Sequence, residues 1–282
     1  MSETNGGEWT VSRTMGAKEY HAIYGVSGSG LHRALRSPAH WKASLAESRD
    51  THATKVGSAL HTLMLEPAEF ERRYIVFQDR GDKRKQPTKG LWEAAQHEAA
   101  ANSKDILAAD DWDHLKGMQA TLLLHPEAKA LLHGSELKEV SLIWRPAHLP
   151  FALKTRPDLI HGAGIVGDLK KTQDASPHAF TRAAADYGYF HQAAWNRWML
   201  TQAAAAGMIE LDAEALRFLI VAVEEEPPHG VGVFEIPRET LVDLVPAIQM
   251  IVATLAAAQE TGRFDCYPTT IQTLKMPDWA NK

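Results

Sequence analysis

Two short runs of the sequence carry carboxylates within β-rich stretches. They are Arg-Pro-Asp at 156–158 and Asp-Leu-Lys at 168–170. If a short loop centred on Ala163 joins two antiparallel strands, Asp158 lies directly opposite Asp168. Residues opposed in this way have Cβ atoms about 4.5–5.5 Å apart, and residues two apart share a face. The spacing therefore predicts that two carboxylates converge beside a lysine.

A divalent cation would relieve the repulsion between these carboxylates. Like charges directly opposed destabilise a sheet, and strand interiors disfavour aspartate. Hard oxygen ligands suit Mg²⁺ or Mn²⁺, which can polarise a phosphodiester and lower the pKa of a bound water. In the same register Arg156 lies opposite Lys170, and Lys170 would orient that water or neutralise developing charge. The alternative is a solvated Asp168–Lys170 pair, because a one-residue change in the loop separates the aspartates onto opposite faces.

A histidine on a helical stretch is a further candidate ligand. His61 lies in residues 54–65, where Val56 and Leu60 belong to one apolar stripe. Gly57 and Ser58, one turn earlier, permit a close approach of this helix to a sheet. Neutral imidazole binds Mn²⁺ and, less readily, Mg²⁺, whereas most lone helical histidines are structural.

Composition excludes several classes of protein. The 282 residues are 45% hydrophobic and 23% charged, which is typical of a folded globular chain. The single cysteine, Cys266, excludes an internal disulfide framework and a zinc site of paired cysteines, so we expect a reducing, cytoplasmic location. No secretory leader and no membrane-spanning apolar run is predicted. With a net charge of −5, any attraction to nucleic acid must be local.

The most basic short run lies within residues 79–89. Its cations are candidates for local contact with the DNA backbone, although such runs are usually solvated loops. They are Lys83, Arg84, Lys85 and Lys89.

A glycine-rich run at 25–30 precedes a helical pattern. It lacks the Lys-Ser/Thr ending of a nucleotide-binding loop, and no strand is predicted before it. We interpret it as a turn in which Ser27 or Ser29 caps the helix.

Periodicity changes from helical to β-rich at Lys138. Three short runs with turn residues between them predict an antiparallel meander. A long helix, two further strands and a helical region are predicted to follow. We therefore expect a loosely held segment over 1–24 and a single α+β domain over 25–282, with a central mixed sheet flanked by helices. The predicted strands are 139–145, 151–160, 164–170, 216–224 and 230–236, and the predicted helices are 31–45, 54–65, 91–109, 113–132, 177–206 and 238–262.

Several of these motifs, taken in order, resemble the nuclease domain of the exonuclease VIII (RecE) family of the PD-(D/E)xK superfamily. The resemblance covers nearly the whole chain, from about Val26 to Trp279. It rests on residues 57–61, 65–67, 156–158, 168–170, 187–192, 266–268 and 274–279.

The resemblance implies a restriction-endonuclease-like core and an ATP-independent, Mg²⁺-dependent exonuclease, with Mn²⁺ as a substitute. Such an enzyme degrades the 5′-ended strand of linear duplex DNA and leaves a 3′ single-stranded tail for recombination, often in a phage or prophage. By position, Lys170 resembles the catalytic lysine and Glu139 an acidic residue on the outer side of the metal. The implied metal ligands are His61, Asp158, Asp168 and the Leu169 carbonyl.

The resemblance also implies DNA contacts and partners. Gln192 matches the glutamine of a Gln-x-x-x-Tyr helix, but position 196 is Asn, so Trp195 or Tyr189 would supply the aromatic that stacks on a base. The alternative is that these aromatics pack on the sheet. A ring-like homo-oligomer, duplex DNA ends and a single-strand annealing protein are the implied partners, without a membrane. A structure-selective endonuclease or a non-catalytic DNA-binding recombination module are the competing functions.

Overall fold

The computed structural model describes residues 6–46, 51–162 and 164–276, in which helices alternate with short strands. The strands are β1 (Gly7–Ser12), β2 (Gly25–Ser27), β3 (Tyr74–Phe77), β4 (Asp105–Ala108), β5 (Leu137–Lys138), β6 (Ser141–Pro146), β7 (Ala152–Thr155), β8 (Leu159–His161), β9 (Ile165–Thr172), β10 (Arg217–Glu224) and β11 (Val231–Ile236). The helices are α1 (Ala17–Ala22), α2 (Gly28–Arg36), α3 (Pro38–Ser44), α4 (His52–Leu65), α5 (Pro67–Arg73), α6 (Thr88–Asn102), α7 (Ala109–Leu124), α8 (Pro126–Gly134), α9 (Pro177–Asp186), α10 (Tyr189–Ala205), α11 (Arg238–Asp243) and α12 (Val245–Thr261).

The strands form one central mixed sheet and two smaller sheets. The central sheet has the order β11-β10-β9-β8-β5, in which β9 and β10 are parallel and their other neighbours antiparallel. A second sheet has the order β1-β6-β7-β2, and β3 pairs with β4. The α+β architecture with a central mixed sheet is thus confirmed.

Helices cover both faces of the central sheet. Alternate residues of β9 and β10 point to opposite faces, as the two-residue period of a strand requires. Val166 and Ile220 pack in one core cluster with residues of α10 and α12, whereas Leu169 and Val221 pack in another with residues of α4 and α7. The charged residues of β9 therefore lie inside a sheet that is buried on both sides.

The hairpin of β8 and β9 has the predicted register. Leu159 pairs with Gly167, and His161 pairs with Ile165. One step further along the register places Asp158 opposite Asp168. The loop residue Ala163 lies outside the described residues.

The predicted meander over residues 139–170 is wrong in its second strand. The strand predicted over 151–160 is broken, because β7 ends at Thr155 in the second sheet and β8 begins at Leu159 in the central sheet. Pro157 lies in the gap, and proline has no N–H to donate to a sheet ladder. The chain therefore crosses between the two sheets at residues 156–158.

The prediction of a loosely held segment over 1–24 is also wrong for residues 6–24. β1 pairs with β6 from Gly7 opposite Pro146 to Ser12 opposite Ser141. The buried Lys154 ammonium donates to the carbonyls at the end of α1, including that of Tyr20 at 2.8 Å. A strand pairing and a buried cation thus anchor this segment, which local composition does not reveal. Residues 1–5 lie outside the described residues.

Most of the predicted helices are divided or shorter than expected, including those over 113–132 and 238–262, which are each divided into two helices. The pattern over 31–45 is interrupted between α2 and α3, where Ser37 caps α3 and Pro38 begins it. The helix predicted over 177–206 is divided at Gly188, whose φ is 72°. The alanine-rich stretch over 91–109 ends at Asn102 and is followed by β4, which pairs with β3. Both of these strands were missed.

The glycine-rich run contains the predicted cap. Its first residues form the short strand β2, which lies parallel to β7, and the element before the run is α1 rather than a strand, as expected. The Ser27 hydroxyl accepts the N–H of Gly30 at 3.2 Å, as an N-cap does.

Within the described residues, one helical stretch, Arg238–Thr261, is long and apolar enough to cross a membrane. It buries Ile248, Val252 and Leu255 in the same core cluster as α10 residues, as the core helix of a globular domain does.

Candidate metal and catalytic site

The candidate site lies where the chain crosses twice between the two larger sheets. Asp158 is the last residue of the gap between β7 and β8, and Glu139, with a φ of 53°, lies in the gap between β5 and β6. The backbone N–H of Glu139 donates to the carbonyl of Asp158 at 3.0 Å. The two crossings therefore place two acidic side chains next to each other.

Asp158 is held against the start of the Asp-Leu-Lys run. Its Oδ2 accepts the backbone N–H of Leu169 at 2.7 Å and lies 3.5 Å from His61 Nδ1. Burial raises the pKa of Asp158 to about 7 with help from the charge of Asp168, while His61 opposes the rise. Without a cation, this carboxylate is in an unfavourable environment for its charged form.

His61 reaches the sheet from α4. The helix begins at a Thr51–Thr54 capping box and packs its apolar stripe in the core beneath β9. His61 Nε2 lies 2.8 Å from the Leu169 carbonyl oxygen, and Nδ1 lies 3.7 Å from Glu139 Oε1. Burial alone would lower the pKa of His61, but the charges of Asp158 and Glu139 raise it to about 9.

Glu139 is oriented by an arginine. The Nε of Arg156 donates to Glu139 Oε2 at 2.6 Å, and the same guanidinium donates to the Met15 carbonyl at 2.8 Å. Burial would raise the pKa of Glu139, but its contacts with His61 and Arg156 hold that pKa below its usual range. The expectation that Arg156 faces Lys170 is wrong, because the chain leaves the hairpin at residues 156–158. Only the long-range pairing of elements reveals this role of Arg156.

Asp168 and Lys170 form a buried ion pair on β9. Lys170 Nζ lies 2.5 Å from Asp168 Oδ2, and both side chains point to the α10 face. Burial would lower the pKa of Lys170, but the charges of Asp168 and Asp158 raise it well above its usual value. The lysine is therefore a fixed positive charge beside the carboxylates.

The side chains fit a divalent cation. One ligand atom from each of His61, Glu139 and Asp158 lies within 4.8 Å of the others. Two carboxylates and an imidazole, with the Leu169 carbonyl adjacent, are a donor set suited to Mg²⁺ or Mn²⁺. Asp168 is engaged by Lys170, so its direct ligation of a metal stays a prediction.

Of the α10 residues expected to contact DNA, Trp195 is buried in the core. Trp195 is 0% exposed, and its indole N–H donates to the Lys154 carbonyl at 3.0 Å. The prediction that Trp195 stacks on a base is therefore wrong, since the ring is part of the core. Asn196 is buried as well and accepts the Thr155 hydroxyl at 2.6 Å. Gln192 packs beside Gly28 at the start of α2, and its contact with DNA stays a prediction.

The basic run that leads into α6 is exposed, and its contacts are with residues close by in the sequence. Lys83 lies over the ring of Trp92 at 3.9 Å, Arg84 pairs with Asp82, and Lys89 lies 3.8 Å from Glu93. Neighbouring acids thus offset part of the positive charge. A role in DNA binding for Lys83, Arg84, Lys85 and Lys89 stays a prediction.

Comparisons with known proteins agree with this architecture. Residues 27–275 match the family described as a PDDEXK-like domain of unknown function (DUF3799). The chain is similar to a crystal structure of a "putative exonuclease" from Eubacterium rectale, with a TM-score of 0.57 and 12% identity over 94% of this chain and 96% of that one. It also matches the crystal structure of SSO0001 at 14% identity over 79% of this chain and 84% of that one, but the TM-score of 0.25 carries no weight. No curated protein matches the sequence significantly.

The family match spans most of the chain, and the mixed sheet with its acidic and lysine residues has the character expected of a restriction-endonuclease-like core. The protein therefore belongs to the DUF3799 family of PDDEXK-like domains, within the PD-(D/E)xK nuclease superfamily.

Proposed function

We propose that the protein is a metal-dependent, ATP-independent exonuclease of the exonuclease VIII type that degrades the 5′-ended strand of linear duplex DNA. The observation that carries the proposal is the convergence of His61, Glu139 and Asp158 beside the Asp168–Lys170 pair. A cation-binding set next to a fixed ammonium can activate a water and stabilise the charge that develops during hydrolysis of a phosphodiester.

The residues of the site would have different roles in hydrolysis. A divalent cation held by His61, Glu139 and Asp158 would polarise the scissile phosphate and lower the pKa of the attacking water. Lys170 presents its ammonium to the phosphoryl oxygens, where negative charge grows in the transition state. Asp168 positions that ammonium.

Two hydrogen bonds to the carboxylates orient the proposed metal ligands. The Leu169 N–H fixes the Asp158 carboxylate, and the Arg156 guanidinium fixes Glu139. Positioning partners of this kind set the orientation of metal ligands and their affinity for the metal.

The direction of digestion and the partners rest on the resemblance of the motifs. By that resemblance the product is a 3′ single-stranded tail, which a single-strand annealing protein takes up. The active form is a ring-like homo-oligomer around the duplex. The exposed basic run before α6 supplies local positive charge for the DNA backbone.

The test compares linear duplex DNA with covalently closed circles, in Mg²⁺, Mn²⁺ or EDTA. We expect the linear duplex to be digested only with metal and the circle to survive, because a site that receives strand ends needs an end. A 5′ label should leave early in short products, while a 3′ label persists in long single strands. Rapid nicking of the circle would favour the endonuclease, and early loss of the 3′ label would reverse the polarity. DNA binding without any cleavage would favour the accessory module.

A matched pair of variants assigns the activity to the site. Asp158→Asn retains a side-chain oxygen for the Leu169 N–H but loses the ligand charge, so we expect a folded protein with cleavage reduced by about 100-fold or more. Asp243→Asn changes an exposed carboxylate of α11 and should cleave as the parent does. Near-normal cleavage by Asp158→Asn at millimolar Mg²⁺ would contradict the metal assignment.

A further inference from the structure

A row of aromatic rings leads from the core to the surface beside the candidate site. Phe180 stacks on Phe234 at 4.9 Å between ring centroids, and Tyr189 follows Phe180 at 6.2 Å. Tyr187 then stacks on Tyr189 at 5.8 Å with an interplanar angle of 28°. These separations are those of favourable aromatic pairs. Phe180 is buried, whereas Tyr187 at the outer end of the row is 65% exposed.

The turn that carries the two tyrosines is built on a glycine that packs closely against α2. Tyr187 follows the last residue of α9, and Gly188 precedes α10 with a φ of 72°, a conformation that favours glycine. A Cβ at Gly188 would lie 2.3 Å from Nδ1 of His32 on α2. Gly188 thus lets the turn approach α2 closely, and the turn places Tyr187 and Tyr189 on either side of it.

The row passes directly beside the catalytic candidate on β9. Lys170 Nζ lies 5.0 Å from the centroid of the Tyr189 ring, and Tyr187 is the next ring outward. A phosphate at Lys170 and a base at Tyr187 are separated by a span that one or two nucleotides can cover. The exposed ring is thus within reach of a strand whose phosphate lies at Lys170.

The chemistry of an exposed ring backed by another ring selects a flat aromatic ligand. Nucleobases stack on such rings irrespective of sequence, because every base has a π-face. In an intact duplex the base faces are covered by neighbouring base pairs, so stacking requires an unpaired base. A ring next to a nuclease site therefore favours a frayed or single-stranded DNA end.

We propose that Tyr187, backed by Tyr189, stacks on an unpaired nucleobase of the strand that enters the site, so that the protein binds frayed ends in preference to blunt ones. The inference deepens the proposed function and rests on it. Tyr187 is in this view a positioning residue for the substrate strand.

The experiment varies the ring at position 187 and the bases of the DNA flap independently. Duplexes that carry a short 5′ single-stranded flap, either with normal bases or with abasic sites, are titrated with protein in EDTA, where hydrolysis does not occur. We expect the parent protein to bind the flap with bases about tenfold more tightly than the abasic flap. Tyr187→Ala should abolish this difference, and Tyr187→Phe should retain it because the ring remains.

Controls keep the outcome specific. Tyr267→Ala removes another exposed tyrosine, which contacts His40 and Arg36 instead, and should keep the tenfold difference. Equal thermal unfolding of Tyr187→Ala and the parent establishes that the exposed side chain was removed without loss of the fold.

Each outcome decides one question. Retention of the base preference in Tyr187→Ala, or its absence in the parent protein, overturns the stacking proposal. Loss of the preference in Tyr187→Phe as well would assign the effect to the hydroxyl and also overturn it. Because binding is measured without metal, a failure to cleave DNA in Mg²⁺ would refute the nuclease function separately from this result.

Discussion

Replacement of Arg156 by Met tests whether the site depends on a buried ion pair. The Arg156 side chain is 8% exposed and that of Glu139 is 15% exposed. Removal of one partner from a buried pair costs about 3–5 kcal/mol, because the other charge is left buried without compensation. His61 still lies 3.7 Å from Glu139 and offsets part of that loss. We therefore expect Arg156→Met to lower the free energy of unfolding by about 3 kcal/mol, at the low end of this range.

The assay is urea unfolding in EDTA, with two further proteins for comparison. The Arg217–Glu235 pair is bidentate but exposed, at 53% and 44%, so Arg217→Met should cost only about 0.2–1 kcal/mol. In the double variant Arg156→Met, Glu139→Gln the charge of Glu139 is removed together with that of Arg156, and His61 keeps Asp158 as a partner. Its free energy of unfolding should be only about 1 kcal/mol below that of the parent protein. That difference is the usual contribution of a hydrogen bond such as the one that Arg156 donates to the Met15 carbonyl.

Two results would refute this reasoning. One is a loss below about 1 kcal/mol in Arg156→Met, since the buried pair would then behave as an exposed one. The other is a double variant that loses the sum of the two single changes, since residues that stabilise each other must show a coupling energy.

Three further predictions concern the site and the basic run. Lys170→Ala should lower kcat with little change in DNA affinity, because the Lys170 ammonium stabilises charge that develops only in the transition state. Single-turnover kinetics and a binding titration measure the two effects, and a loss of affinity alone would contradict the prediction. The double variant Lys83→Ala, Lys85→Ala should bind DNA more weakly and with a smaller dependence on salt, because fewer counterions are released on binding. The measurement is the slope of log K against the logarithm of the salt concentration, and an unchanged slope would show that the basic run does not contact DNA. The pKa of about 9 for His61 means that a proton competes with metal below that pH, so the affinity for Mn²⁺ measured by calorimetry should rise between pH 7 and 9 by up to about tenfold per unit. His61→Gln should lack this rise, and a pH-independent affinity in the parent would exclude His61 as a ligand.

The hairpin that carries the carboxylates was predictable from the sequence alone. Asp158 and Asp168 are close in sequence, and a single turn sets which residues of β8 and β9 oppose each other. The two-residue period of strands then determines which side chains share a face. The general class of fold followed from the same alternation of β-rich and helical runs.

The rest of the site was decided by contacts between residues far apart in the sequence. Nothing near Arg156 in the chain indicates that it binds Glu139 and the Met15 carbonyl, because that contact arises where two strands cross between sheets. Similarly, an indole can stack on DNA or fill a core, and only the packing of α10 on the sheet places Trp195 in the core. Local sequence thus determined which chemical groups the hairpin offers. The tertiary structure decided which of them meet, because burial and long-range pairing depend on every element that packs around them.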